Sequence, residues 1–294
     1  MISFFKMVRY KNLLMVLLTL VLTKYALIYS YTSTPLLTEF QFAILALSIL
    51  SITAGGYIVN DIFDLEADNI NKPTKVFIGN IISVKNAWFA YWITTIIGLF
   101  LGIYVSFKSG NNSLSFIFIF TSIALFIYSK LLKKLPFIGN IMVALLVSLS
   151  IFLIMLFEYS EEKINSFIAV VIYSIFSFLT TLIREIIKDI EDVKGDYAQR
   201  MQTLPIVIGI QRTNRITVII TVVLYAFLIF VAKVELTKHP YLSVYIIIFI
   251  ILPLAGFLYK LWNAKTTKHY QQLSTLLKLI MLLGILSMLL FKLN

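Results

Sequence analysis

Cysteine is absent from the 294-residue chain, and histidine occurs twice, as His239 and His269. Without thiols there is no disulfide framework, no thiolate nucleophile and no cysteine-ligated zinc or iron–sulfur cluster. The two histidines are 30 residues apart and fall in predicted loops on opposite membrane faces, so a two-histidine metal site or a triad is not expected. Charge is scarce too. Asp, Glu, Lys and Arg make up 13% of the residues, about half the ~25% of ordinary soluble domains. With 60% hydrophobic residues and a mean hydropathy of +0.94, polar side chains are too few to coat a water-soluble globule. A polytopic membrane protein remains.

Within a bilayer every backbone N–H and C=O needs an internal partner, which leaves helices or closed barrels. Barrel strands alternate apolar and polar residues in segments of about ten. Here the apolar runs are continuous, as in 117–128 and 216–232, and suit helices of about 20 residues. Their positions predict an all-α membrane protein of nine transmembrane helices at 13–31, 38–59, 86–106, 114–129, 136–157, 165–187, 214–232, 241–260 and 274–291. Residues 1–294 are read as a single integral membrane domain, a bundle around a central cavity. The first run is too long for a signal-peptide core, and Tyr29, Ser30 and Tyr31 offer no cleavage site. With the amino terminus cytoplasmic, 18 of the 25 Lys and Arg lie on the cytoplasmic side and 6 on the other, while Lys278 falls inside the last span. That asymmetry sets the orientation in the cell membrane. It also accounts for the net charge of +11 through topology and anionic lipid, with no nucleic acid partner.

The aspartates are unevenly placed. The six, Asp61, Asp64, Asp68, Asp189, Asp192 and Asp196, occupy two D-x-x-D-x-x-x-D stretches, 128 residues apart. Each stretch follows a span running toward the cytoplasm, which suggests two pseudo-repeated halves with spans two and six equivalent. Spacings of i, i+3 and i+7 put three carboxylates on one helical face, where like charges repel. Merely solvated loop residues would be scattered and interchangeable with glutamate; Glu39, Glu158, Glu161, Glu162 and Glu235 are spread along the chain, and the aspartates are not. Hard divalent cations take oxygen ligands, and Mg²⁺ is typically held by one or two carboxylates plus substrate phosphates. Two opposed acidic rows therefore suit a diphosphate clamped through Mg²⁺.

At these residues the sequence resembles the UbiA superfamily of intramembrane prenyltransferases. The first motif reads Asn60-Asp61-Ile-Phe-Asp64-Leu-Glu-Ala-Asp68, followed by Asn71-Lys72-Pro73, and the second reads Asp189-Ile-Glu-Asp192-Val-Lys-Gly-Asp196. Between them stand Tyr128-Ser129-Lys130-Leu-Leu-Lys133 and Gly139-Asn140. Arg184-Glu185-Ile-Ile-Lys188-Asp189, with Thr203-Leu204-Pro205 further on, is similar to the branch that prenylates a glycerol phosphate ether, the digeranylgeranylglyceryl phosphate synthases. Two positions depart from the pattern. Lys75-Val76 replaces a common Arg-Pro, and Arg200 stands where glycine is usual.

The resemblance implies Mg²⁺-dependent transfer of a geranylgeranyl group from its diphosphate to geranylgeranylglyceryl phosphate in ether-lipid synthesis, through an allylic cation. An aromatic quinone precursor such as hydroxybenzoate is the alternative acceptor, and a divalent-cation transporter a distant alternative. Implied metal ligands are Asn60, Asp61, Asp64, Asp68, Asp189, Asp192 and Asp196, with Asp64, Asp68, Asp192, Asp196 and Lys133 catalytic. Implied substrate contacts are Lys72, Tyr128, Lys133, Asn140, Arg184, Lys188 and Arg200. A phosphorylated acceptor needs a second cationic cluster, for which Lys75, Lys194 and Arg200 are the candidates.

Overall fold

A computed structural model describes residues 2–31, 35–71, 76–160 and 163–292. Among the described residues nine helices are long and apolar enough to cross a membrane: Tyr10–Tyr31, Glu39–Phe63, Val84–Lys108, Asn112–Lys130, Ile138–Glu158, Ile164–Ala198, Ile210–Glu235, Pro240–Trp262 and Thr267–Lys292. They are numbered here as spans 1 to 9. The count agrees with the hydropathy reading, and most ends lie further out than the apolar runs, because helix ends and caps are polar. Span 2 starts with a reciprocal capping box, in which Thr38 N–H donates to Gln41 Oε1 at 2.8 Å and Gln41 N–H donates back to Thr38 Oγ1 at 3.2 Å. Ser83 and Thr266 cap spans 3 and 9 by accepting the backbone N–H groups of Asn86 and His269 on their hydroxyl oxygens.

Large apolar side chains such as Phe89, Phe100, Phe116 and Trp262 remain exposed on the outside of the bundle, the surface expected of a protein solvated by lipid. Span 8 passes through a π-helical stretch at Ile246–Ile251, which ends two residues before Pro253. The proline ring removes one N–H and crowds the carbonyl four residues back, and a widened turn relieves both.

Span 6 differs most from expectation. The hydropathy pattern ends it near residue 187, yet the helix continues unbroken over Ile164–Ala198. The second acidic stretch therefore extends a membrane helix, in keeping with its helical spacing. The first stretch is interrupted: span 2 ends at Phe63, Asp64 caps it with φ −94° and ψ 2°, and a short helix, Leu65–Asn71, follows. Backbone bonds from Asp64 N–H to Asn60 O and from Asp68 N–H to Asp64 O carry the helical register across the break.

The end of the bundle far from the aspartates has its own buried charges. Lys24 is fully buried, donates to Leu37 O at 3.3 Å and lies 4.5 Å from the centre of the Phe42 ring. Glu158 and Lys163 form a buried pair at 3.3 Å, and the carboxylate also accepts the backbone N–H groups of Leu36 and Leu37. Removing one partner of such a pair leaves an uncompensated charge, a loss of about 3–5 kcal/mol. A cavity of about 590 Å³ also lies at this end, lined mainly by apolar residues including Phe176, Leu228 and Ile250. It holds none of the metal-ligand, catalytic or substrate-contact residues expected from the sequence.

Candidate active site

A larger cavity, of about 740 Å³, opens at the aspartate end between spans 1, 2, 4, 6 and 9. All six aspartates line it, with Asn60, Tyr128, Lys133, Arg184 and Lys188. The two acidic stretches thus share one chamber, although 128 residues separate them. Lys72 lies outside the described residues, as does Lys75.

Two close approaches bring these groups together. In the first, Gly195 on span 6 faces the short helix Leu65–Asn71, where a Cβ would come within 2.3 Å of Asn71 Nδ2 and 2.8 Å of Ala67 O. Only hydrogen fits there. The Asn71 amide fills the contact, accepting from Gly195 N–H at 2.9 Å and donating to Asp192 O at 2.9 Å. This clasp ties the segment carrying Asp68 to the turn carrying Asp192 and Asp196. In the second, a Cβ on Gly139 would come within 2.8 Å of Leu132 O and Lys133 Cα. Its absence lets the tight turn Leu132–Lys134 fold onto the start of span 5 and aim Lys133 inward.

Lys133 is 8% exposed. Its ammonium lies 2.5 Å from Asp64 Oδ1 and donates to Asn60 Oδ1 at 3.3 Å, while Asn60 donates its own amide to Asp64 Oδ2 at 2.7 Å. Burial pulls the Lys133 pKa below its ordinary value, and the pull exceeds the support from Asp64. Asp61 points elsewhere, to Arg9 Nη2 at 2.5 Å, as expected for a neighbour of Asn60 that cannot share its helical face. Burial of the Arg9 guanidinium opposes its charge, but Asp61, Tyr57 and Asp68 together outweigh the burial and raise its pKa.

On span 6, Arg184 and Lys188 share the carboxylate of Glu185, each at 2.9 Å. Asn140, expected to touch substrate, does not line the cavity: it is buried behind Asp189 and donates to its Oδ2 at 2.8 Å, a positioning contact. Arg200 is likewise displaced from its expected place. It is exposed, outside the cavity lining, and has φ 55°. It occupies the left-handed residue of a Schellman cap, with Met201 N–H bonded to Asp196 O and Arg200 N–H to Tyr197 O. This explains the usual glycine: the cap needs a conformation that costs a side-chain-bearing residue about 1–2 kcal/mol. Arg200→Gly is therefore expected to stabilise the protein by about 0.5–1 kcal/mol after its own unfolded-state entropy is counted, read as a higher Tm in detergent. An unchanged or lower Tm would contradict the strain.

Sequence reading passed over Arg9, Lys278, Glu185 and Asn71, all of which line the cavity. Lys278 carried a signal as the one charge inside the last predicted span, and Asn71 stood beside the first motif. Arg9 was indistinguishable from ordinary cytoplasmic-side charge.

Among the described residues no three Asp, Glu or His side chains converge into one metal cage. The donor set nevertheless fits Mg²⁺. Asp64, Asp68, Asp192 and Asp196 offer carboxylate oxygens from two sides of one chamber, and this cation normally keeps most of its coordination for phosphate and water.

Residues 15–288 match the profile of the UbiA prenyltransferase family. The digeranylgeranylglyceryl phosphate synthase of Saccharolobus solfataricus is 39% identical over 179 residues, spanning 61% of this chain and 61% of that protein. The synthase of the same name from Methanosphaera stadtmanae is 31% identical over 249 residues, spanning 82% of this chain and 84% of the relative. Among solved structures, a digeranylgeranylglyceryl phosphate synthase superposes with a TM-score of 0.68 at 23% identity, covering 98% of this chain and 96% of that one. A UbiA homolog from Archaeoglobus fulgidus bound to GPP and Mg²⁺ superposes with a TM-score of 0.60 at 13% identity, covering 97% and 99%. Those two likenesses establish a shared fold. Profile, relatives and architecture agree that this chain is a member of the UbiA prenyltransferase family.

Proposed function

We propose that the protein transfers a geranylgeranyl group from its diphosphate to the free hydroxyl of geranylgeranylglyceryl phosphate, at the cytoplasmic face of the cell membrane. The observation that carries the reading is the opposition of two acidic stretches across one cavity, with Lys133 seated beside Asp64. The synthase relatives support the acceptor, and the Archaeoglobus neighbour bound to GPP and Mg²⁺ supports the donor and the metal.

Asp64, Asp68, Asp192 and Asp196 would hold Mg²⁺. When bound, the metal neutralises the diphosphate and makes it a better leaving group. Lys133 adds a positive charge on the same side, and Asn60 orients both it and Asp64. The bond from the prenyl C1 to the diphosphate oxygen breaks with both electrons leaving on oxygen. The acceptor hydroxyl oxygen then bonds to C1, and its proton passes to the departing diphosphate. Tyr128, half-buried in the cavity wall, presents an aromatic ring in the chamber where the allylic cation forms.

The test is an acceptor competition. Purified protein with geranylgeranyl diphosphate and Mg²⁺ is offered geranylgeranylglyceryl phosphate and hydroxybenzoate together. The expected product is the doubly prenylated glycerol phosphate, formed only with metal, lost with EDTA and restored by Mg²⁺. Prenylated hydroxybenzoate as the main product would overturn the acceptor, and turnover indifferent to chelator would overturn the metal.

A further inference from the structure

Lys278 lies near the middle of span 9, eleven residues beyond its first residue, Thr267. An ammonium at membrane depth is expensive, so such residues face a water-filled cavity and mark a binding site. Lys278 does face one: it is exposed into the active-site chamber, one turn beyond Ser274, which also lines it. No carboxylate lies within ion-pair distance of it among the described residues. Its charged neighbours are mainly cations, Arg184, Lys188 and Arg9, with Glu185 the acid among them.

The surrounding acids are already engaged. Glu185 is divided between Arg184 and Lys188, Asp61 holds Arg9, and Asp189 accepts from Asn140. Arg184 Nε is buried with no hydrogen-bond partner. A membrane protein does not gather four cations around so few carboxylates without cost, because like charges in a low-dielectric chamber repel strongly. A bound anion removes the repulsion.

This anion site is separate from the acidic one. Arg184, Lys188, Asp192 and Asp196 follow each other at four-residue steps along one continuous helix, so one stripe of span 6 changes from cationic to anionic. Each step rises about 6 Å, which puts the cations about one to three turns deeper in the bundle than Asp192 and Asp196, which would hold the metal-bound diphosphate. The acceptor of the proposed reaction carries its nucleophilic hydroxyl on the carbon next to the one bearing phosphate. A phosphate fixed at the deeper level therefore holds that hydroxyl between the two sites, beside the departing diphosphate.

We infer that Lys278, with Arg184 and Lys188, forms a second anion subsite that binds the phosphate monoester of the acceptor and selects phosphorylated over neutral or carboxylate acceptors. The inference rests on the transfer reaction proposed above. It assigns to Lys278 the role that the sequence had suggested for Lys75, Lys194 and Arg200; Lys194 and Arg200 are exposed outside the cavity, and Lys75 lies outside the described residues.

The experiment compares the full-length protein with Lys278→Met and Lys278→Arg, all in lipid nanodiscs, with each substrate varied in turn. A charge-assisted hydrogen bond to phosphate is worth about 1.5–3 kcal/mol, so the KM for geranylgeranylglyceryl phosphate is expected to rise about 10- to 100-fold in Lys278→Met. The KM for geranylgeranyl diphosphate should move by less than about threefold, and Lys278→Arg should recover most of the acceptor affinity, since a guanidinium also pairs with phosphate. Geranylgeranylglycerol, which lacks the phosphate, should lose no further affinity in the methionine variant. Methionine is the better residue for a membrane helix, so insertion is preserved, and Tm and elution profile check it.

An acceptor KM unchanged in Lys278→Met overturns the inference, and so does a rise confined to the diphosphate donor, which would place the donor on these cations. Equal losses toward phosphorylated and unphosphorylated acceptors overturn it as well, since they indicate a general structural effect. If the unaltered protein uses no phosphorylated acceptor at all, the transfer reading itself fails, and the comparison of variants keeps the two failures apart.

Discussion

Asp192→Ala is expected to reduce prenyl transfer by about 10²–10³-fold, since a metal's stabilisation of a departing diphosphate is worth several kcal/mol. Asp192 is the cleaner of the two central aspartates to remove. Its side chain faces the cavity from a continuous helix, and its backbone oxygen, which a substitution leaves in place, carries the bond to Asn71. Asp64→Ala should abolish transfer too, but it also strands the buried Lys133 ammonium, a loss of about 3–5 kcal/mol in stability that confuses the readout. The measurement is turnover of geranylgeranyl diphosphate by protein that still inserts and elutes as the parent does. Near-normal turnover in Asp192→Ala would remove the metal assignment, whatever Asp64→Ala does.

Gly195→Ala should cost about 100-fold in turnover without touching any ionisable group. The added methyl would sit 2.3 Å from Asn71 Nδ2 and 2.8 Å from Ala67 O, and one of those neighbours is backbone. The short helix Leu65–Asn71 must therefore move away from span 6, taking Asp68 with it and opening the clasp at Asn71. Overpacking of this kind costs about 1–3 kcal/mol in stability, while a shift of about 1 Å between catalytic groups costs about 10² in rate. The expected signature is a large fall in turnover with a modest fall in Tm and unchanged helicity. Adding Asn71→Ala removes the flexible half of the clash, so the double variant should be less impaired than the two single losses combined. Full activity in Gly195→Ala, or strict additivity, would show that the clasp does not set the spacing of the acidic stretches.

The spans were legible because hydrocarbon solvation leaves a continuous apolar run no alternative to a helix. The acidic stretches were legible because aspartate occurs nowhere else in the chain. Their backbones were harder to read. Identical spacing gave an unbroken helix at Asp189–Asp196 and an interrupted one at Asp61–Asp68, because Asp64 caps span 2. Asn140 stands out in the sequence as an amide at membrane depth in need of a partner, and in the structure it donates to Asp189 Oδ2. Arg200 attracted notice as an unexpected cation, and its backbone angle shows that the glycine it replaces belongs to a helix cap.

Composition and periodicity alone determined a helical membrane protein, its nine crossings and the residue types gathered at one end, because these follow from local solvation and from counting. Only the tertiary structure decided which of the many cations near that end face the chamber, since a lysine at a cavity and a lysine in a loop look the same in one dimension. It separated Lys133 and Lys278, which enter the cavity, from Lys194 and Arg200, which do not. The physical reason is packing at atomic range: the missing side chains of Gly139 and Gly195 admit the neighbouring backbone, and that contact between distant segments sets where the charges meet.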